Sequence, residues 1–175
     1  MPRKMRGLPA GVSPLFDDFD GNLLFYPEII PVTLNFRQVL SGVRNNPGEL
    51  FSLSPRQFEE LVAEIWQRFG YLVELTCRTR DGGRDVVAVK QSEANLRFLI
   101  ECKRYERQNR VGIGIVRALY GVKIDEQATK AILATTSSFT RAAKDFFARH
   151  IWELEPRDYD GVVDWISQAI ARGSM

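Results

Sequence analysis

The segment SLSPRQFEELVAEIWQRFGY, residues 52–71, carries the clearest helical pattern in the chain. Its apolar residues recur every three or four positions, which predicts an amphipathic helix. Ser54 is a good N-cap, Gln57 completes a capping box with it, and Gly70 is typical of a residue that ends a helix.

Three acidic residues of this helix have different predicted orientations. At about 100° per residue, Glu59 lies at the margin of the apolar face, whereas Glu60 and Glu64 point largely away from it. Glu59 is therefore the acid that we expect to face a neighbouring sheet, and an ordinary solvated charge is the alternative.

The rest of the chain alternates between strand and helix patterns. Strand-like runs cover residues 71–76, 85–90 and 96–104, and a polar turn at 91–95 joins the last two. After them we predict a helix at 111–120, a strand at 131–136, a helix at 140–150, a short strand at 151–154 and a helix at 159–171. This order predicts an α/β layered domain in which helices flank a mixed central sheet.

The first 50 residues differ from the remainder because they are rich in Pro, Gly and Asn. We interpret residues 1–50 as a partly irregular N-terminal arm, with one strand near 30–36, and residues 51–175 as the domain. A chain of 175 residues is long enough to bury one sizeable core.

The charge distribution is more informative than the net charge of +2. Between residues 78 and 110 nine Lys or Arg stand against five Asp or Glu, and two of those acids are Asp85 and Glu101. A basic zone around an acidic centre favours an anionic polymer as ligand. The arginines predicted to contact its phosphates are Arg78, Arg80, Arg84, Arg104 and Arg107.

Membrane insertion and secretion are not indicated. The most apolar stretch near the beginning, residues 23–32, is short and contains two prolines, and no apolar signal segment follows the basic start. The two cysteines lack metal or redox spacing. A cytoplasmic protein is therefore expected.

Two charged residues occur within the apolar run LRFLIECK, where an unpaired buried charge is costly. Because alternate side chains of a strand share a face, Glu101 and Lys103 project together, and Phe98, Ile100 and Cys102 face the other way. Antiparallel pairing can bring the Asp85 carboxylate toward Glu101. Two convergent carboxylates suit a hard divalent cation such as Mg²⁺, with Mn²⁺ as a substitute.

Five motifs in order resemble the catalytic domain of Mrr-like restriction endonucleases, in the PD-(D/E)xK nuclease superfamily. They are Phe58-Glu59, Gly70-Tyr71, Asp81-Gly82-Gly83-Arg84-Asp85, Cys102-Lys103-Arg104-Tyr105 and Thr135-Thr136-Ser137. Many domains of the family resemble QxK where this chain has Glu101, so the metal ligand typical of the superfamily is present here.

The resemblance implies a restriction-endonuclease-like fold and a Mg²⁺-dependent DNA endonuclease acting in defence against foreign DNA or in repair. Asp85, Glu101 and the Cys102 carbonyl would bind the metal, Lys103 would act on the attacking water, and Glu59 would orient the site. Cutting both strands of duplex DNA implies a homodimer. Three alternatives remain: a catalytically silent nucleic-acid-binding module, a junction- or RNA-directed nuclease of the same fold, and a purely structural ion-pair cluster.

Overall fold

The computed structural model describes residues 36–76, 83–90 and 95–172. Its helices are α1 (Phe36–Asn45), α2 (Pro55–Arg68), α3 (Ile113–Asp125), α4 (Arg141–Arg149) and α5 (Tyr159–Arg172), with a 3₁₀ helix at Pro47–Ser52. Its strands are β1 (Leu72–Leu75), β2 (Val86–Lys90), β3 (Leu96–Lys103), β4 (Lys130–Thr135) and β5 (Leu154–Arg157). Within these ranges no helix has both the length and the apolar character that crossing a membrane requires.

The five strands form one mixed sheet in the order β1-β2-β3-β4-β5. The pairs β1–β2 and β2–β3 are antiparallel, whereas β3–β4 and β4–β5 are parallel. Helices α3 and α4 provide the crossover connections that parallel neighbours require. The predicted α/β domain with a mixed central sheet is confirmed.

Two hydrophobic cores lie on opposite faces of the sheet. Ile100 and Cys102 of β3 pack with residues of α1, α2 and α5 on one face. Leu99, the intervening residue, packs with residues of α3 and α4 on the other face. This alternation places a layer of helices on each side of the sheet and confirms the predicted two-faced character of β3.

The predicted start of α2 is confirmed in detail. The Ser54 side chain accepts a hydrogen bond from the Gln57 backbone N–H, and the Gln57 side chain accepts one from the Ser54 backbone N–H. At the other end Gly70 has a φ of +86°, a conformation that favours glycine over any residue with a Cβ.

Three sequence-based boundaries need correction or lie outside the description. Helix α3 is Ile113–Asp125 rather than 111–120. The last strand is Leu154–Arg157 rather than 151–154, because residues 151–153 form a turn in which the Glu153 and Leu154 N–H groups donate to the His150 carbonyl. Most of the strand expected near 30–36 lies outside the described residues, and Phe36 begins α1. The boundary between the N-terminal arm and the domain at residue 50 remains a prediction. Leu40 and Val43 of α1, which precede this boundary, belong to the same core as α2.

Ile100 tests the core role of the β3 face opposite Glu101. Its side chain is fully buried between β2, β4 and the α2–α5 layer. We expect Ile100→Ala to lower the free energy of unfolding by about 2–5 kcal/mol, since it removes buried methyl groups and leaves a cavity. Urea denaturation measures this change, and Leu72→Ala is the control because Leu72 is 56% exposed.

Candidate active site

The Asp85 carboxylate lies at the edge of the sheet where β2 begins and β3 ends. The register pairs Val86 with Ile100, and the Asp85 N–H donates to the Ile100 carbonyl at 3.0 Å, so Asp85 lies beside Glu101. Gly83 precedes it with a φ of +82°, which favours glycine in the turn. Asp85 Oδ2 accepts a hydrogen bond of 2.7 Å from the Cys102 N–H. This bond fixes the carboxylate against β3.

Glu101 and Lys103 form an ion pair on one face of β3, as the alternation predicts. Lys103 Nζ lies 2.7 Å from Glu101 Oε1, and the two side chains are 29% and 10% exposed. The charges therefore stabilise each other inside a strand, where either one alone would be costly. The lysine retains access to solvent at the edge of the sheet.

The neighbouring charges change the pKa values of Glu101 and Lys103. Burial raises the pKa of Glu101, Lys103 opposes that change through its hydrogen bond and charge, and Asp85 adds to it. For Lys103, burial alone would lower the pKa, but the hydrogen bond and charge of Glu101 together with Asp85 outweigh it and raise the pKa. Lys103 is accordingly held as an ammonium.

The donor set fits a hard divalent cation. Glu101 Oε2 is buried and has no hydrogen-bond partner among the described residues, although a buried carboxylate oxygen is costly without one. Because the N–H and C=O of a strand residue point to the same side, the Cys102 carbonyl points to the Asp85 side, as its N–H does. In the described ranges no three Asp, Glu, His or Cys residues form a metal cluster, so water and substrate oxygens would complete the shell of Mg²⁺.

Glu59 lies near the opposite face of β3, where its charge helps to raise the pKa of the buried Cys102 thiol after the larger effects of burial and Asp85. Its Oε2 atom accepts a hydrogen bond of 2.9 Å from Arg56 Nη1. The expectation that Glu60 points away is wrong, since Glu60 is buried with its Oε1 atom 3.8 Å from Arg56 Nε. The apolar pattern alone does not include this partner, but the i,i+4 spacing of Arg56 and Glu60 is a sequence signal that could have found it.

Thr76 is a site residue that sequence reasoning missed. Its N–H donates to the Asp85 carbonyl at 2.9 Å, and its Oγ1 donates to the carbonyls of Arg84 at 2.9 Å and Asp85 at 3.1 Å. Arg56 Nη1 in turn donates to the Thr76 carbonyl at 3.0 Å. Thr76 therefore joins α2 to the backbone that carries Asp85. A threonine ending a strand gives no sequence signal for such a role.

Substitution of Thr76 tests whether this network positions Asp85. We expect Thr76→Val, which keeps the shape and loses the hydroxyl, to weaken Mg²⁺ affinity about 10-fold, as loss of a group that orients a ligand does. Thr76→Ser retains the hydroxyl and serves as the control. Isothermal titration calorimetry measures both, and equal affinities in the two variants would show that Thr76 does not support the site.

The Thr135-Thr136-Ser137 motif fastens the segment that follows Lys103. Thr135 Oγ1 donates to the Lys103 carbonyl at 2.7 Å, and Thr136 Oγ1 both donates to the Tyr105 carbonyl at 2.6 Å and accepts from its N–H at 2.9 Å. Ser137 Oγ donates to the Asn109 carbonyl at 2.6 Å. All three side chains are buried, so their role is to hold backbone rather than to touch substrate.

The predicted phosphate-contacting arginines that the structure describes, Arg84, Arg104 and Arg107, do not converge. Arg78 and Arg80 lie outside the described residues. Arg84 forms an ion pair with Glu126 beyond the end of α3, away from Lys103. Arg104 follows Lys103 and pairs with Glu106, and Arg107 lies over the Tyr159 ring at 5.5 Å. Of the described arginines, Arg104 and Arg107 are the two next to the strand end that carries Lys103.

Comparison with known proteins agrees with this geometry. Residues 50–166 match the family model of the Mrr catalytic domain, described as "Restriction endonuclease". The chain is similar to the type IV methyl-directed restriction enzyme EcoKMrr of Escherichia coli (strain K12), with 32% identity over 102 residues, which are 55% of this chain and 33% of that protein. It spans about a third of the length of the curated relatives it matches.

Solved restriction endonucleases share the fold. The DNA modification-dependent restriction endonuclease AspBHI superposes with a TM-score of 0.51 and 23% identity, over 78% of this chain and 35% of that one. FokI superposes with a TM-score of 0.54 and 16% identity, over 84% of this chain and 32% of that one. The family-model match over most of the sequence shows that the chain belongs to the Mrr-type restriction endonuclease family.

Proposed function

We propose that this chain is a Mg²⁺-dependent DNA endonuclease whose catalytic centre consists of Asp85, Glu101 and Lys103. The observation that carries the proposal is the buried Glu101 Oε2 atom, which has no hydrogen-bond partner among the described residues while Oε1 is bound to Lys103. A cation between Glu101 and Asp85 would satisfy this oxygen. A purely structural ion pair would not require an unpaired buried oxygen beside a second carboxylate.

Each residue of the centre has a separate task. The metal would be held by Asp85, Glu101 and the Cys102 carbonyl. Asp85 is positioned by hydrogen bonds with the Cys102 N–H and Thr76, and Glu101 by its ion pair with Lys103. When bound, Mg²⁺ supplies a Lewis acid that draws charge from the phosphate and lowers the pKa of a water. The Lys103 ammonium would orient the attacking water and offset the negative charge that develops on the phosphate. Glu59 would orient the site from the opposite face of β3.

DNA is the proposed substrate because the family consists of restriction endonucleases and because Arg104 and Arg107 adjoin the site. A single centre cuts one strand, so we propose a homodimer for cutting both strands of a duplex. We place the activity in the cytoplasm, in defence against foreign DNA or in repair. Cys102 is a free thiol, as a reducing compartment would keep it.

Cleavage of supercoiled plasmid tests this function. We expect the purified protein to cut DNA with Mg²⁺ or Mn²⁺ and to be inactive in EDTA, because the donor set consists of hard oxygens. Methylated and unmethylated plasmid, a four-way junction and an RNA of the same sequence are compared in parallel. Nicked circles as the first product indicate one centre acting alone, and direct linear product indicates a dimer.

The control is the Asp85→Asn protein from the same purification, which reveals a contaminating nuclease. Equal cleavage in EDTA and in Mg²⁺, absent from the control, would exclude the metal mechanism. DNA binding without cleavage of any substrate would instead identify a catalytically silent binding module.

A further inference from the structure

A pocket of about 240 Å³ lies on the α2–α5 face of the sheet. It extends from Lys90, which ends β2 beside Leu96, to Arg157, which the register places level with Ala134 and Cys102. We call it the aromatic–cationic pocket, after the residues described next.

One side of the aromatic–cationic pocket is a wall of four rings, from Trp66, Phe69, Tyr71 and Trp165. Trp66 is at its centre, with ring centroids 4.8 Å from Tyr71, 5.7 Å from Trp165 and 6.1 Å from Phe69. Its indole Nε1 is buried and has no hydrogen-bond acceptor among the described residues. The neighbouring rings meet Trp66 edge-on, at 63° to 89°, and Trp66 and Trp165 are buried, so Phe69 and Tyr71 are the partly exposed rings of the wall.

Three cations line the rest of the pocket, each beside one of the rings. Lys90 Nζ lies 5.4 Å from the Tyr71 centroid, and the guanidinium groups of Arg157 and Arg172 lie 5.0 Å and 4.7 Å from Trp165 and Phe69. Contact with the rings holds these long side chains at the opening. Three positive charges thus face one small volume.

The pocket contains one carboxylate, that of Glu155, and it is already engaged. Glu155 Oε1 accepts a hydrogen bond of 2.8 Å from Arg157 Nε, and Oε2 lies 3.4 Å from Lys130. Lys90 and Arg172 form no ion pair within the described part of the chain. An excess of positive charge remains, and it favours an anionic ligand.

We propose that the aromatic–cationic pocket binds a nucleotide, with its phosphate between Lys90 and Arg172 and its base against the partly exposed rings of Phe69 and Tyr71. A bare phosphate would leave the rings unused, whereas aromatic side chains and cations together are the usual surface for an unpaired nucleotide. The unit is either a free mononucleotide or the unpaired end of a DNA strand. The proposal does not rest on cleavage, since the pocket shares no residue with the catalytic edge.

Tryptophan fluorescence tests the proposal in the absence of divalent metal. The background is Trp152→Phe, because Trp152 is 86% exposed and is the only tryptophan of the three that does not line the pocket. We expect saturable quenching of Trp66 and Trp165 by dAMP, with an affinity at least about tenfold higher than for deoxyadenosine or inorganic phosphate.

Substitutions at the opening locate the binding. Arg172→Gln and Lys90→Gln should each weaken dAMP about tenfold, because each removes a charged contact to the phosphate. Arg149→Gln is the matched control, since its guanidinium lies 5.5 Å from the Phe146 ring outside the pocket. The affinity of a 5′-phosphorylated single strand is measured with the same variants. If Arg172→Gln weakens the strand and dAMP by the same factor, the nucleotide is the end of a DNA strand. If it weakens dAMP alone, the ligand is the free nucleotide.

Three results would overturn the proposal: no saturable quenching, inorganic phosphate binding as tightly as dAMP, or unchanged dAMP affinity in both variants. None of these concerns metal-dependent cleavage, so each leaves the proposed nuclease function standing. Conversely, a protein that fails to cut plasmid can still bind dAMP in this pocket.

Discussion

Lys103→Ala is expected to lower the rate of DNA cleavage by roughly 100- to 1,000-fold, the usual effect of removing one group that stabilises charge in a transition state. Lys103 lies on the solvent side of its ion pair, 29% exposed and 2.7 Å from Glu101. Its raised pKa keeps it as a cation, which can orient water and offset phosphate charge. Mg²⁺ and DNA affinities should remain close to those of the wild type, since the metal ligands are carboxylates. Single-turnover cleavage with saturating enzyme measures the effect.

Lys130→Ala is the matched control for this substitution. Lys130 is also a partly exposed strand lysine paired with a glutamate, Glu155, at 3.4 Å, but it begins β4 at the end of the sheet away from Asp85. The Lys130→Ala protein should cleave DNA at the wild-type rate. Equal losses of rate in the two variants would mean that removing any lysine of the sheet disturbs the protein and that Lys103 has no special role.

Glu101→Gln is expected to weaken Mg²⁺ binding on the order of 100-fold or more, since Glu101 is a proposed direct ligand of the metal, and replacing even a group that only orients a ligand costs 10–100-fold. Cleavage should fall with it. The melting temperature should change little, because the amide removes a buried charge beside Asp85 while Lys103, which loses its partner, is 29% exposed and can be solvated. Asp85→Asn should behave in the same way, and its amide oxygen can still accept the Cys102 N–H. Calorimetric titration with Mg²⁺ and a thermal melt measure both properties.

Glu153→Gln provides the comparison for the acids. Glu153 accepts hydrogen bonds from Tyr120 at 2.9 Å and Lys123 at 3.2 Å, far from β2. Its loss should leave Mg²⁺ affinity unchanged. If Glu101→Gln and Asp85→Asn also leave it unchanged, the two carboxylates do not hold the metal.

Local pattern was sufficient for most of the fold. The capping box of Ser54, the helical spacing of α2 and the alternation along β3 each depend on residues close together in sequence, and each is confirmed. The antiparallel pairing of β2 with β3 was predicted from the short connection between them, and its register brings Asp85 beside Glu101. These features required no knowledge of distant contacts.

What the sequence analysis missed has both local and long-range causes. Glu60 has its partner Arg56 one helical turn earlier, and β5 begins at Leu154 because the preceding residues turn back on the His150 carbonyl, so both features lie within a few residues of sequence. Thr76 reaches Asp85 only because β1 pairs with β2. Arg84 was expected to contact phosphate, but the fold brings it to Glu126 instead. These last two contacts depend on which elements become neighbours.

The central claim is that Glu101 and Lys103 lie within a strand because they act with a metal, and cleavage per folded molecule tests it most directly. Wild type, Lys103→Ala, Glu101→Gln and Ile100→Ala are compared in single-turnover reactions, with the folded fraction of each measured by circular dichroism under the same conditions. We predict that Lys103→Ala and Glu101→Gln remain folded and lose cleavage, whereas Ile100→Ala loses stability and keeps the wild-type rate per folded molecule. The opposite result, in which Lys103→Ala and Glu101→Gln unfold while their folded fraction cleaves normally, would contradict the account and leave the ion pair a structural one.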